Sequence, residues 1–115
     1  MRTNIIVTLQ YEATHNWPDC DDPIVGYLKH EHRHMFHIVC KKQVSHDDRD
    51  IEIITMKSAV LLWLAHTYGG ELKAMSCEML ARKIAEVFHL SYCSCMEDGE
   101  NGAEVIDDGV KITNN

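Results

Sequence analysis

Residues 29–36, Lys-His-Glu-His-Arg-His-Met-Phe, set three of the chain's eight histidines at alternate positions: His30, His32 and His34. In a strand, side chains alternate between faces, so these three share one. A rise of about 3.3 Å per residue puts alternate Cα atoms under ~7 Å apart. Two imidazoles at that spacing can converge on one metal, at about 2.0–2.1 Å each. Two of the three, with a distant third histidine, make a three-histidine set. Catalytic zinc uses such a set and keeps a fourth position open for water or substrate. His37 has the opposite parity and reads as a surface or subunit-contact residue.

Other side chains suit chemistry of a different kind. Glu97 closes an extended segment. Its carboxylate can accept two parallel hydrogen bonds from an amino-pyrimidine edge; the plainer reading is a solvated acid beside a turn. His66, near a helix end, has the pKa range of a general acid or base, and the helix dipole alone also favours it there. Glu78 sits in a first helical turn, where it either anchors substrate or complements the dipole. Cys20 lies in a loop and reads as an inert thiol. Cys77, at a helix start, and Cys93 and Cys95, on one strand face, read as packing residues. Trp63 reads as helix packing, and Trp17 as packing or as a stacking surface.

The elements that position these groups follow from periodicity. Residues 4–15 alternate, with Ile5, Val7, Leu9, Tyr11 and Ala13 on the parity of His15, which marks a half-buried strand with His15 pointing inward. Residues 16–28, with Pro18 and Pro23, form a loop. A second strand covers 30–44. From 53 to 68 the period becomes helical, with Ile53, Met56, Val60, Leu61 and Leu64 in a stripe that Gly69-Gly70 ends. Ser76 is the expected N-cap of a second helix, whose apolar face is Met79, Leu80, Ile84, Val87 and Phe88. Strands at 91–97 and 103–112 flank a turn at 98–102. The tail 113–115 is expected to fray. The order β-β-α-α-β-β implies an α+β domain spanning 1–115, with a four-stranded antiparallel sheet and both helices on one face.

Bulk properties narrow the partners. The chain has 115 residues, 45% apolar and 25% charged, with a net charge of −7. That excess of acid, with no basic run, argues against nucleic acid or an anionic membrane. No apolar run reaches the ~18 residues of a span, and the start lacks a signal-peptide core. Five cysteines in no framework spacing fit a reducing, cytoplasmic location.

Several motifs resemble one family. Tyr11-Glu12-Ala13-Thr14-His15 is similar to the aromatic-x-Ala-x-His opening of the 6-pyruvoyl- and 6-carboxy-tetrahydropterin synthases. His32-Arg33-His34-Met35-Phe36 resembles their His-Gly-His-x-aromatic element. Met75-Ser76-Cys77-Glu78-Met79-Leu80-Ala81 resembles their Pro-Thr-Ser-Glu-x-Leu-Ala helix start, and Cys95-Met96-Glu97-Asp98 their Val-x-Glu-Thr. The resemblance covers about residues 5–112. It implies a tunnelling fold in which the sheets of several subunits, a trimer or hexamer, close into a barrel with active sites between subunits. It also implies zinc on His15, His32 and His34, with His30 the competing ligand. His34 is preferred because Phe36 then falls in register.

By the same resemblance Glu97 grips the pterin ring, Glu78 helps anchor it and His66 moves a proton. The expected activity is a zinc-dependent lyase reaction on a dihydroneopterin triphosphate-type pterin or a related purine-like substrate. Three positions depart from the pattern. Leu28 stands where the family has its catalytic cysteine, and Ala65 where it has the aspartate beside His66. Arg33 replaces a glycine, adding bulk and charge beside the metal. An inactive pterin- or nucleotide-binding protein of the same fold is therefore the alternative, and a zinc-stabilised structural oligomer is a third.

Overall fold

A computed structural model of the chain describes residues 1–107. Along the chain run β1 (Thr3–His15), a 3-10 turn (Gly26–Lys29), β2 (His32–Val44), α1 (Ile53–Tyr68), β3 (Glu71–Lys73), α2 (Cys77–Phe88), β4 (Tyr92–Glu97) and β5 (Asn101–Ile106). The described sheet has five strands in the order β3-β1-β2-β4-β5. The expectation of four antiparallel strands is corrected by β3, a three-residue strand parallel to β1. Three residues are too few to carry a readable alternation. The rest of the sheet is antiparallel. The strand expected at 103–112 is observed over Asn101–Ile106; positions 108–112, and the tail 113–115, lie outside the described residues.

Alternation sets one sheet face against the helices. Val7, Leu9 and Ala13 of β1, Phe36, Ile38 and Cys40 of β2, and Cys93 and Cys95 of β4 form one buried cluster with Met56, Val60, Leu64, Leu80, Ala81 and Ile84 of the two helices. Both helices therefore cover the same face. The expected stripes need correcting at their edges. Ile53 and Met79 are 49% and 56% exposed. Cys77 and Ala81 are buried in α2 instead. The α2 contact face is rotated toward these smaller side chains, which let the helix lie close to the sheet.

Helix ends are set by local chemistry. Glu52 caps α1 by accepting from the Ile54 and Thr55 N–H groups, at 2.8 and 3.0 Å. Gly69, at φ 59°, ends α1 in the left-handed conformation that glycine adopts without strain. Ser76 Oγ accepts from the Met79 N–H at 3.1 Å and starts α2, as its sequence position indicates. Trp63 packs edge-on to Tyr68 and to Phe88 of α2, joining the two helices. No helix among the described residues is long and apolar enough to cross a membrane.

Candidate metal centre

Strand register builds the site. In the β1–β2 ladder His15 is the Cα partner of His32, and Ala13 that of His34. In the β2–β4 ladder Phe36 faces Glu97. Period-two alternation puts His15, His32, His34 and Glu97 on the helix-covered face, past the end of the apolar cluster. The imidazole centroids lie 4.5 Å (His15–His32), 5.3 Å (His15–His34) and 5.0 Å (His32–His34) apart. Phe36, fully buried, meets His15 and His34 edge-on beneath them. One ligand atom from each of the three histidines and Glu97 lies within 4.8 Å of all the others. These four residues can hold a metal ion.

The hydrogen bonds fix which nitrogen is left over. His15 Nδ1–H donates to the Met75 carbonyl at 2.9 Å, and His32 Nδ1–H to the His30 carbonyl at 2.8 Å. His34 Nδ1–H donates to Asp98 Oδ2 at 2.7 Å. Each Nε2 is left as a lone pair. Metal-bound histidines show this arrangement, the outer N–H held by a carbonyl or carboxylate that fixes the tautomer.

The fit to a cation can be tested on His15. Its Nε2 is buried and makes no hydrogen bond, yet Glu97 Oε2 stands 2.9 Å away. A neutral imidazole lone pair facing a carboxylate oxygen at that distance is repulsive. A cation between them, proton or metal, removes the conflict. His34 Nε2 lies 3.6 Å from the same oxygen. Three nitrogens and a carboxylate thus converge on one point, and such an N/O donor set suits a divalent transition metal.

Supporting elements hold each ligand. The Tyr11 hydroxyl donates to the Leu64 carbonyl and accepts from the Gly70 N–H. This ties the end of α1 to β1 and lays β3 beside the end of that strand. The Met75 carbonyl then falls on His15. At the other side Asp98, at φ 54°, turns its carboxylate back onto the start of β2. The His34 imidazole and the Met35 N–H hold its carboxyl below the usual carboxylate range.

The sequence-derived candidates are distributed as follows. His15, His32, His34 and Glu97 come together. His30 does not join them: it caps the 3-10 turn, is exposed, and offers its carbonyl to His32. The second strand accordingly starts at His32, not at His30. Arg33 points to the opposite sheet face and pairs with Glu12, so its charge does not lie beside the ligands as expected. The physical reason is again the two-residue period.

A cleft of about 470 Å³ opens over His15 and His32. Trp17, Leu28 and Met79 supply apolar wall, and Glu78, Glu97 and Asn101 polar rim. This volume lies in the range of small-molecule sites, ~300–1,000 Å³. His66 is exposed in the last turn of α1 and does not line this cleft. Cys20 is buried inside its own loop, its thiol toward the Val25 carbonyl, and stays off the cleft as well.

By sequence alone Asp98 is a turn residue and Cys77 a packing residue. Asp98 orients His34, and Cys77 lines the cleft. The signal for Asp98 was its place next to Glu97 at a turn that favours left-handed Asp. Cys77 and Cys95 both belong to the buried core cluster.

The fold and the site define a small α+β protein with a side-chain group able to hold a metal. Compared with known proteins, the chain matches no family model, and no curated protein matches it significantly.

Proposed function

We propose that the protein is a zinc-dependent tetrahydropterin synthase-like enzyme acting on a pterin of the dihydroneopterin triphosphate type, or on a related purine-like ring. The observation that carries this reading is the group of three histidines, each outer N–H held by an oxygen, beside a cleft that His15 and His32 line. Zinc at that point would supply Lewis acidity toward substrate hydroxyls, lowering their pKa.

The chain's own residues do the rest. His15, His32 and His34 hold the ion. Trp17 and Leu28 border the space for a flat ring, and their apolar surfaces exclude water from its faces. Glu97 borders the metal position and also lines the cleft, so its carboxylate reaches a ring's amino edge by a side-chain rotation. Glu78 and the Ser76 end of α2 form the opposite rim. His66, exposed and outside this cleft, acts as proton carrier only across a subunit boundary. This is consistent with a barrel-forming tunnelling-fold oligomer. The sheet face opposite the helices bears Ile6, 54% exposed, which suits burial against further copies.

One observation favours a second reading. Leu28 lines the cleft where the resemblance puts a catalytic thiol, and its side chain cannot take up a proton. A protein that binds the ring without turning it over has this feature. Incubation of zinc-loaded and metal-free protein with dihydroneopterin triphosphate separates the readings. Product formed at a zinc-dependent rate supports the enzyme. Stoichiometric binding without product supports the binder. No affinity for any pterin or purine overturns both.

A further inference from the structure

Glu97 borders both the metal position and the cleft. Its Oε2 lies 2.9 Å from His15 Nε2 and 3.6 Å from His34 Nε2. Ligand atoms around a tetrahedral zinc, each about 2.0–2.1 Å from it, stand roughly 3.3 Å apart. The two observed separations bracket that edge length. All four ligand atoms, that of His32 included, lie within 4.8 Å of one another. The His15 side chain is only 9% exposed, and its buried Nε2 makes no hydrogen bond. Oε2 therefore takes the corner that an open three-histidine site leaves to water or substrate.

The same carboxylate has a second use in the proposed function. Gripping an amino-pyrimidine edge takes both of its oxygens, in two parallel hydrogen bonds. Oε2 cannot make its half of that contact from among the histidines, whose ring centroids stand 4.5 to 5.3 Å apart and leave no room for a further flat ring. The two roles exclude each other. The side chain has space to exchange between them, since it is 30% exposed and lines the cleft. Its backbone is fixed: Glu97 faces Phe36 across the ladder, and Asp98, the next residue, donates its N–H to the Met35 carbonyl at 2.8 Å.

We propose that Glu97 is a displaceable fourth metal ligand: it closes the site in the ring-free protein and leaves it for the ring's amino edge, so that ring binding opens the fourth position. The ligand half rests on side-chain geometry alone; the exchange half rests on the pterin reading. Closed four-ligand sites are the structural kind, and open ones the catalytic kind. Glu97 makes this site one or the other according to what fills the cleft. A ring without an amino edge leaves the site closed, which sets its specificity.

Cobalt(II) in place of zinc reports the ligand set through its visible absorption, and azide reports an open position. In the cobalt-loaded, full-length protein, azide is expected to leave the spectrum unchanged. In Glu97→Ala the spectrum differs before azide is added and shifts on adding it. Cobalt affinity there falls by more than the roughly 10–100-fold that losing an outer hydrogen-bond partner costs. An azide response of the unsubstituted protein equal to that of Glu97→Ala overturns the ligand half. Glu97→Gln, of the same size, serves should the alanine variant not fold.

Unsubstituted pterin has the amino edge and no side chain to reach the metal. Adding it should make the unsubstituted cobalt protein respond to azide. Lumazine, its counterpart without the amino group, should not. Equilibrium dialysis measures the binding of each. A pterin that binds and leaves the site closed to azide overturns the exchange while the pterin reading stands. A pterin that does not bind overturns that reading and the exchange with it, and the azide comparison still decides the ligand.

Discussion

His15 Nε2 lies 2.9 Å from Glu97 Oε2 while His15 Nδ1–H is already given to the Met75 carbonyl. A lone pair and a carboxylate oxygen thus stand face to face. A cation at this point relieves the repulsion. Each of the other two histidines is oriented by its own outer hydrogen bond toward the same place.

Loss of a ligand should empty the site, and loss of its neighbour should not. His15→Ala and His34→Ala are expected to purify without stoichiometric metal. His30→Ala, which removes an exposed side chain but keeps the carbonyl that His32 uses, should retain it. Elemental analysis after dialysis measures this. Full metal content in His34→Ala would sink the three-histidine assignment.

Asp98 should act through His34. Its carboxylate takes the Nδ1–H at 2.7 Å. Removing such an outer partner costs roughly 10–100-fold in metal affinity. Competition of Asp98→Ala against a chelator of known affinity tests the expectation. Affinity equal to that of the unsubstituted protein would show that the His34 tautomer is set without it.

The N-cap of α1 should make stability fall in acid. The backbone N–H groups of Ile54 and Thr55, and the Thr55 hydroxyl, hold the Glu52 carboxyl below its ordinary value. A folded-state pKa below the unfolded one, about 4.3, means the contribution is present above that value. It is lost as pH falls through the lower, folded pKa. Denaturant midpoints of Glu52→Gln and the unsubstituted protein should therefore differ at neutral pH and converge in acid below the carboxylate range. A gap that persists unchanged in acid would mean that ionisation plays no part in the cap.

Gly102 is expected to tolerate no side chain. A Cβ there would stand 1.9 Å from the Cys95 carbonyl oxygen and 2.6 Å from Met96 Cα, both backbone atoms of β4. Gly102→Ala must part β4 from β5 beside Glu97. Forced overpacking typically costs about 1–3 kcal/mol. Urea unfolding should report that loss, with weaker metal binding because Glu97 moves. A variant of unchanged stability and metal affinity would show that the β4–β5 hairpin yields freely.

The sequence by itself settled what alternation and helical periodicity can settle. The two-residue period put His15 inward and placed His32 and His34 on one face, because a strand allows no other arrangement. Ser76 announced the start of α2 because an oxygen before an amphipathic run satisfies orphan N–H groups. Glu97 was legible as the carboxylate at the end of a strand.

Tertiary structure decided the rest. Whether His15 would lie opposite His32 depended on ladder register, which no single strand encodes. His30 was excluded by a 3-10 turn formed through loop hydrogen bonds. The short β3, without a pattern of its own, is held by the Tyr11 hydroxyl and by pairing with β1, and it delivers the Met75 carbonyl to His15. Cys77, at a helix start, and Cys95, on a strand 18 positions away, enter one buried core. Contacts between residues so distant along the chain arise only when the core closes, since burial, not local preference, brings them together.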